Sequence, residues 1–160
     1  NWITNNSRFK KKSWEFNITA KRIISYLSNH PLTYDDNDKE YRSMFDHMIQ
    51  KQANHLINEI TNSKDLENKI IGCSAIILTG LCYKIEKNYL NIGLSFLKKI
   101  TNSSIDNQGF TYSRNIKQLI FFLKYFIIIR EWFKESQVEV PEHIDENIYY
   151  FGQSLSLIHI

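Results

Sequence analysis

Residues 106 to 115, Asp106-Asn107-Gln108-Gly109-Phe110-Thr111-Tyr112-Ser113-Arg114-Asn115, gather an acid, a base, amides and a phenol into one short polar stretch. It runs directly into the most apolar helical segment of the chain. Backbone N–H groups at a helix start lack intrahelical acceptors and carry partial positive charge, so Arg114, Asn115 and Gln108 beside them form a binding place for a carboxylate or a sulfate. Tyr112 is the nearest phenol and, on proximity alone, the candidate proton-transfer residue. Ser113 and Gly109 also suit plain structural roles, as a helix N-cap and a turn residue.

Other chemistries find less support. The five histidines, His30, His47, His55, His143 and His159, form no close pair of the kind zinc sites use, so no metal is expected. Cys73 and Cys82 lie nine residues apart on one expected helix, where they cannot readily reach each other for a disulfide; both read as small core residues. A net charge of +3 from 20 basic and 17 acidic residues is far from the dense basic stripe of a nucleic-acid binder. The excess sits mainly in Arg8, Lys10, Lys11 and Lys12, read as a solvated arm over residues 1–12. The longest apolar run, 119–129, contains Lys124 and falls short of the roughly 20 residues that cross a bilayer, so no membrane insertion is expected.

The elements that must position the polar stretch are helical. Apolar residues recur at steps of three and four over 14–28, 38–62, 88–100 and 115–135, while 66–83 is apolar almost all round and Pro141 opens a last helix over 142–151. No stretch alternates with period two, so no sheet is expected. With 42% hydrophobic and 14% aromatic residues in 160, one domain over 13–160 has ample core. The expected fold is all-α, built of antiparallel helical hairpins. A start at Asn1 and an apolar run through Ile160 suggest a piece of a longer protein.

Several segments, in order, resemble the N-terminal helical region of the heparinase II/III family, most closely its alphaproteobacterial heparinase II/III-like branch. Ser13-Trp14 followed by 19–32, ending Ser28-Asn29-His30-Pro31-Leu32, resembles a tryptophan-led first helix closed by a Ser-x-x-Pro-Leu turn. Gln52-Ala53-Asn54-His55-Leu56 is similar to a Gln-Ala-x-x-Leu helix, Ile76-Ile77-Leu78-Thr79-Gly80-Leu81-Cys82 to a Leu-x-x-x-Gly-Leu-Cys stretch, and 106–115 to an Asp-Gly-Gly-x-x-x-Ser-Arg-Asn loop. The resemblance implies an incomplete (α/α) toroid, followed in full-length relatives by a β-sandwich domain.

It also implies a polysaccharide lyase that cleaves an acidic, uronate-containing polymer by β-elimination, periplasmic or otherwise associated with the cell envelope. In that reaction a neutral or cationic group screens the uronate carboxylate and a Tyr or His moves protons, and neither step requires a nucleotide or redox cofactor. The family's Asn-His pair at the start of the third helix falls here on Asn68 and Lys69. Arg114 and Asn115 match its Ser-Arg-Asn and would bind the acidic substrate, while Gln108 stands where the loop usually has a second glycine. Asn54-His55 spells the Asn-His pair one helix earlier and reads as structural. Trp14, Tyr26, Tyr34, Trp132 and Tyr149 are candidate sugar-stacking rings that read better as core. Two alternatives stand beside the lyase: a non-catalytic glycan-binding scaffold of the same ancestry, and a helical protein-binding module.

Overall fold

The computed structural model describes residues 8–10, 12–35, 37–83 and 88–158. Most of the 1–12 arm, including Lys11, and His159 and Ile160 of the apolar end lie outside them. The described residues form an all-helical fold: α1 (Phe16–Ser28), a π-helical turn (Pro31–Asp35), α2 (Lys39–Glu59), α3 (Leu66–Cys82), α4 (Tyr89–Ser104), α5 (Ile116–Glu135) and α6 (Glu142–Ile158). Among them no residue belongs to a strand, and an isolated bridge pairs Ile105 with Thr111. No described helix is long and apolar enough to cross a membrane.

Local chemistry sets the helix starts. The Asp38 side chain accepts the Tyr41 N–H at 2.8 Å and that of Asp65 accepts the Glu67 N–H at 2.9 Å, each satisfying a donor with no partner inside the helix. After α1, the chain closes its last turn through Asn29, whose carbonyl accepts the N–H groups of Leu32 and Thr33 at 3.0 and 3.1 Å. The Thr33 hydroxyl donates to the Tyr26 carbonyl at 2.8 Å, which ties the Pro31–Asp35 turn to the end of α1.

α3 is the axis of the molecule. It packs against α1, α2, α4 and α5, and every residue from Ile70 to Leu81 is buried. Its two hydroxyls are accommodated within the helix, Ser74 donating to the Ile70 carbonyl and Thr79 to that of Ala75, both at 2.8 Å. Contacts between helices run in opposite registers. A Cβ on Gly80 would meet Leu90 and one on Gly93 would meet Ile77, which makes α3 and α4 antiparallel. Trp14 meets His55 while Tyr26 meets Phe45, so α1 and α2 are antiparallel too. The Tyr83 hydroxyl reaches Asp46 from the end of α3, and α2 and α3 follow the same rule.

This alternation defines two ends. At the proximal end α1 and α3 begin, α2 and α4 finish, and the 105–115 loop follows. At the distal end lie the Pro31–Asp35 turn, the start of α2 and the finish of α3. α6 packs on α5 through Phe151, whose ring lies 6.5 Å from Phe122 and 5.3 Å from Phe126.

Two helices outrun the expected bounds. α4 reaches Ser104 because the Thr101 hydroxyl donates to the Leu97 carbonyl at 2.8 Å and both Thr101 and Ser104 are buried. α6 continues to Ile158, carrying buried Ser154 beyond the expected stop at residue 151. Cys73 is a core residue as expected, but Cys82 is not: it is the exposed last residue of α3, although its partial burial still pushes the thiol pKa up to about 11. Of the five candidate stacking rings, Trp14 is buried, Tyr26, Tyr34 and Trp132 are half-buried, and Tyr149 is 60% exposed.

Candidate functional site

The 105–115 loop is organised around one carboxylate. Asp106 Oδ1 accepts the N–H groups of Gln108 and Phe110 at 2.9 and 3.0 Å, and Oδ2 pairs with Arg114 Nη2 at 3.0 Å. The Asp106 N–H donates to the Phe110 carbonyl at 2.8 Å and that of Gly109 to the Asp106 carbonyl at 3.0 Å, closing a tight turn. Gly109 is required there: its φ is +83°, and a Cβ would sit 2.8 Å from the Tyr150 backbone. Burial works to raise the Asp106 pKa, but the two N–H groups and the Arg114 guanidinium outweigh it and hold the carboxyl below its ordinary value.

Arg114 has a left-handed backbone, φ +53°, and its guanidinium lies 5.1 Å over the Phe110 ring while its side chain remains 62% exposed. Asn115 is the N-cap of α5, its Oδ1 accepting the N–H groups of Lys117 and Gln118 at 3.0 and 3.4 Å. Ser113, which also suited that role, instead donates its hydroxyl to Gln118 Oε1 at 2.8 Å. Two of the helix-start donors that an anion could have used are therefore already engaged by the chain's own amide. Gln108 is exposed, and its carbonyl accepts the Ser154 hydroxyl of α6 at 2.6 Å, which ties the loop to the last helix. Tyr112 donates its N–H to the Ser104 carbonyl at 2.9 Å and leaves its ring 64% exposed.

The expected site residues share the proximal end but not one cleft. Arg114 and Asn115 line a small, largely apolar cleft of about 170 Å³ with Phe110, Thr111, Ile116 and Leu119. Lys69 lines another, of about 260 Å³, with Lys99, Thr61, Ser103 and Phe96. Asn68 is half-buried in the first turn of α3 and, like Tyr112 and Gln108, lines neither of these two clefts.

Lys99 is a cation the sequence reading missed. Its signal was the hairpin register: with α3 and α4 antiparallel, residues near 100 must face residue 69. The Asn54-His55 pair ties helices together. His55 Nε2 lies 2.8 Å from the Trp14 carbonyl with its ring edge-on to Trp14, and Asn54 Oδ1 accepts the Tyr89 hydroxyl at 3.3 Å. Among the described residues no group of three His, Cys, Asp or Glu side chains is placed to hold a metal ion.

The proximal end thus offers two lysines lining one cleft, a half-exposed guanidinium beside a second, and an exposed phenol. That arrangement suits a multivalent anionic ligand lying across the end of the array, with Lys69 and Lys99 as point charges and Arg114 as a planar fork. Comparison of the chain with protein-family models, with curated proteins and with solved structures finds no match to any of them.

Proposed function

We propose that this chain is the helical part of a heparinase II/III-like protein, a portion of an incomplete (α/α) toroid that holds an acidic, uronate-containing polysaccharide across its proximal end. The observation that carries the reading is the Lys69 and Lys99 pair in one cleft, with Arg114 on the loop that follows the same end of α4. Repeating carboxylates along a polymer meet separated cations more readily than a single compact anion does, because each ion pair is weak alone and adds to the next.

In the lyase form of this reading, Asn68 and Lys69 screen the uronate carboxylate so that the C5 proton becomes acidic. Tyr112, as its phenolate, would take that proton as the C4–O bond breaks and the C4–C5 double bond forms, and pass it to the departing oxygen, which leaves as a hydroxyl and regenerates the phenolate. The exposed phenol of Tyr112 is suited to meet a polymer. A non-catalytic binder of the same ancestry needs the cations alone. A protein-binding module is favoured by a different observation, the exposed Ile116, Ile120 and Ile127 along one side of α5.

One experiment separates the three. The protein is titrated with alginate and heparan sulfate oligosaccharides at low salt while absorbance in the unsaturated-uronate band is followed, beside Lys69→Gln/Lys99→Gln and Tyr112→Phe variants. Binding that weakens about tenfold or more in the double-lysine variant supports the polysaccharide reading. An absorbance rise abolished by Tyr112→Phe with binding retained supports the lyase. Absence of binding to either polymer by folded protein overturns the proposal in favour of the protein-binding module.

A further inference from the structure

A larger concavity lies at the distal end, on the flank of α2. It has a volume of about 450 Å³ and is lined by Lys39, Arg42, Ser43, Asp46, His47 and Gln50 of α2 together with Tyr34 of the π-helical turn. The α2 residues fall at steps of three and four, so one face of one helix supplies nearly the whole lining. A helix face turned to plain solvent usually alternates charge signs, with acids beside bases. Here the one lining carboxylate, Asp46, is engaged from both sides, accepting the Tyr34 hydroxyl at 3.0 Å on one oxygen and the Tyr83 hydroxyl at 2.7 Å on the other. The remaining groups are cations and neutral hydrogen-bonding side chains.

Arg42 is held in place. Its Nε donates to the Asn37 carbonyl at 3.0 Å, one Nη donates to the Asp35 carbonyl, and the guanidinium lies 5.4 Å over the Tyr34 ring. Among the described residues those partners are carbonyls and a ring rather than a carboxylate. Of the described acids near it, Asp35 pairs with His30 at 3.0 Å and Asp38 caps α2. Burial and the hydrogen bond to Asp46 push the Tyr83 phenol pKa well up, which keeps it a donor to Asp46 throughout the neutral range.

We propose that this distal cleft binds a small polyoxyanion, a solute presenting carboxylate, sulfate or phosphate oxygens to Arg42, Lys39 and His47, with Ser43 and Gln50 as neutral partners. Arg42, its orientation fixed by two carbonyls and a ring, supplies geometry, while Lys39 and His47 are exposed and supply adjustable charge and donors. The volume lies within the range of small-molecule sites, on the order of 300–1,000 Å³, and suits a compact solute rather than a polymer segment. The site is independent of the polysaccharide reading, since Lys69 and Lys99 lie at the other end of α3.

The test is calorimetric titration of the protein at low ionic strength with inorganic phosphate, sulfate and citrate as separate probes, beside Lys39→Gln, His47→Gln, Arg42→Gln and, as control, Lys21→Gln. The wild type is expected to bind at least one probe, with affinity about tenfold weaker in Lys39→Gln and Arg42→Gln and unchanged in Lys21→Gln. The preferred probe tells a phosphate ligand from a carboxylate or a sulfate. Arg42→Gln also removes the ties to Asn37 and Asp35, so if circular dichroism shows it unfolded, Lys39→Gln and His47→Gln decide. Absence of heat with all three anions, or wild-type affinity in both of those exposed variants, overturns the proposal.

Discussion

At the scale of single residues, the Asp106 carboxylate spends its hydrogen-bonding capacity on its own loop, and a prediction about acid follows. Its folded pKa lies below the ordinary value of 3.8, because the N–H groups of Phe110 and Gln108 and the Arg114 guanidinium more than offset the effect of burial. A depressed carboxylate stabilises the fold above the unfolded pKa, and that contribution is lost as pH falls through the folded one. Asp106→Asn keeps an acceptor oxygen for the two N–H groups but drops the charge facing Arg114. Urea unfolding curves of wild type and Asp106→Asn are therefore expected to differ at neutral pH and to converge as pH falls below 3.8; a constant difference at every pH would sink the account. Residue types were readable here and partners were not. Ser113 and Asn115 are both good caps by composition, and what decides between them is the left-handed turn at Arg114, which no side-chain pattern announces. In the same way Arg114 reads as a free fork in sequence, yet half its geometry is set by Asp106 eight residues earlier.

At the scale of elements, periodicity located the six α-helices of the described residues because each buries one stripe or, in α3, its whole circumference. The ends were harder. α4 and α6 extend past their apolar stripes on Thr101, Ser104 and Ser154, polar residues whose burial depends on neighbours rather than on local pattern. The structure separates two kinds of helix glycine. A Cβ on Gly80 would lie 2.3 Å from the backbone N of Leu90, so Gly80→Ala must push α3 and α4 apart. A Cβ on Gly152 would meet nothing within 4 Å. Gly80→Ala is expected to destabilise by about 1–3 kcal/mol, as overpacking does, while Gly152→Ala stabilises by about 0.5–1 kcal/mol through helix propensity alone. Thermal unfolding of the two variants checks this, and equal shifts of the same sign would show that the α3 and α4 contact yields without cost.

At the scale of the whole molecule, cooperativity should follow how each helix is enclosed. α3 touches four other helices and supplies an unbroken buried run from Ile70 to Leu81, so no described neighbour of it can leave without exposing core. α6 is placed differently. Its main helix partner is α5, its fully buried side chains are Ile144, Phe151 and Ser154, and Ser154 ties it to the rest of the chain through the Gln108 carbonyl. Helices docked on one neighbour open at lower free energy than those at the centre of a core, because less apolar surface is exposed when they separate. Native-state hydrogen exchange in low urea is therefore expected to show amides of α6 exchanging through a sub-global opening with shallow urea dependence, while those of α3 exchange only with global unfolding. The 105–112 loop offers a finer check, since opening of α6 removes the Ser154 hydroxyl from Gln108 and the Tyr150 backbone from against Gly109. The Gln108 and Phe110 amides, bonded to Asp106, should then lose protection together with α6 and ahead of α3. Exchange of α6 and α3 at one common free energy would mean instead that the last helix is integral to the core, and that its single main neighbour holds it as firmly as four hold α3.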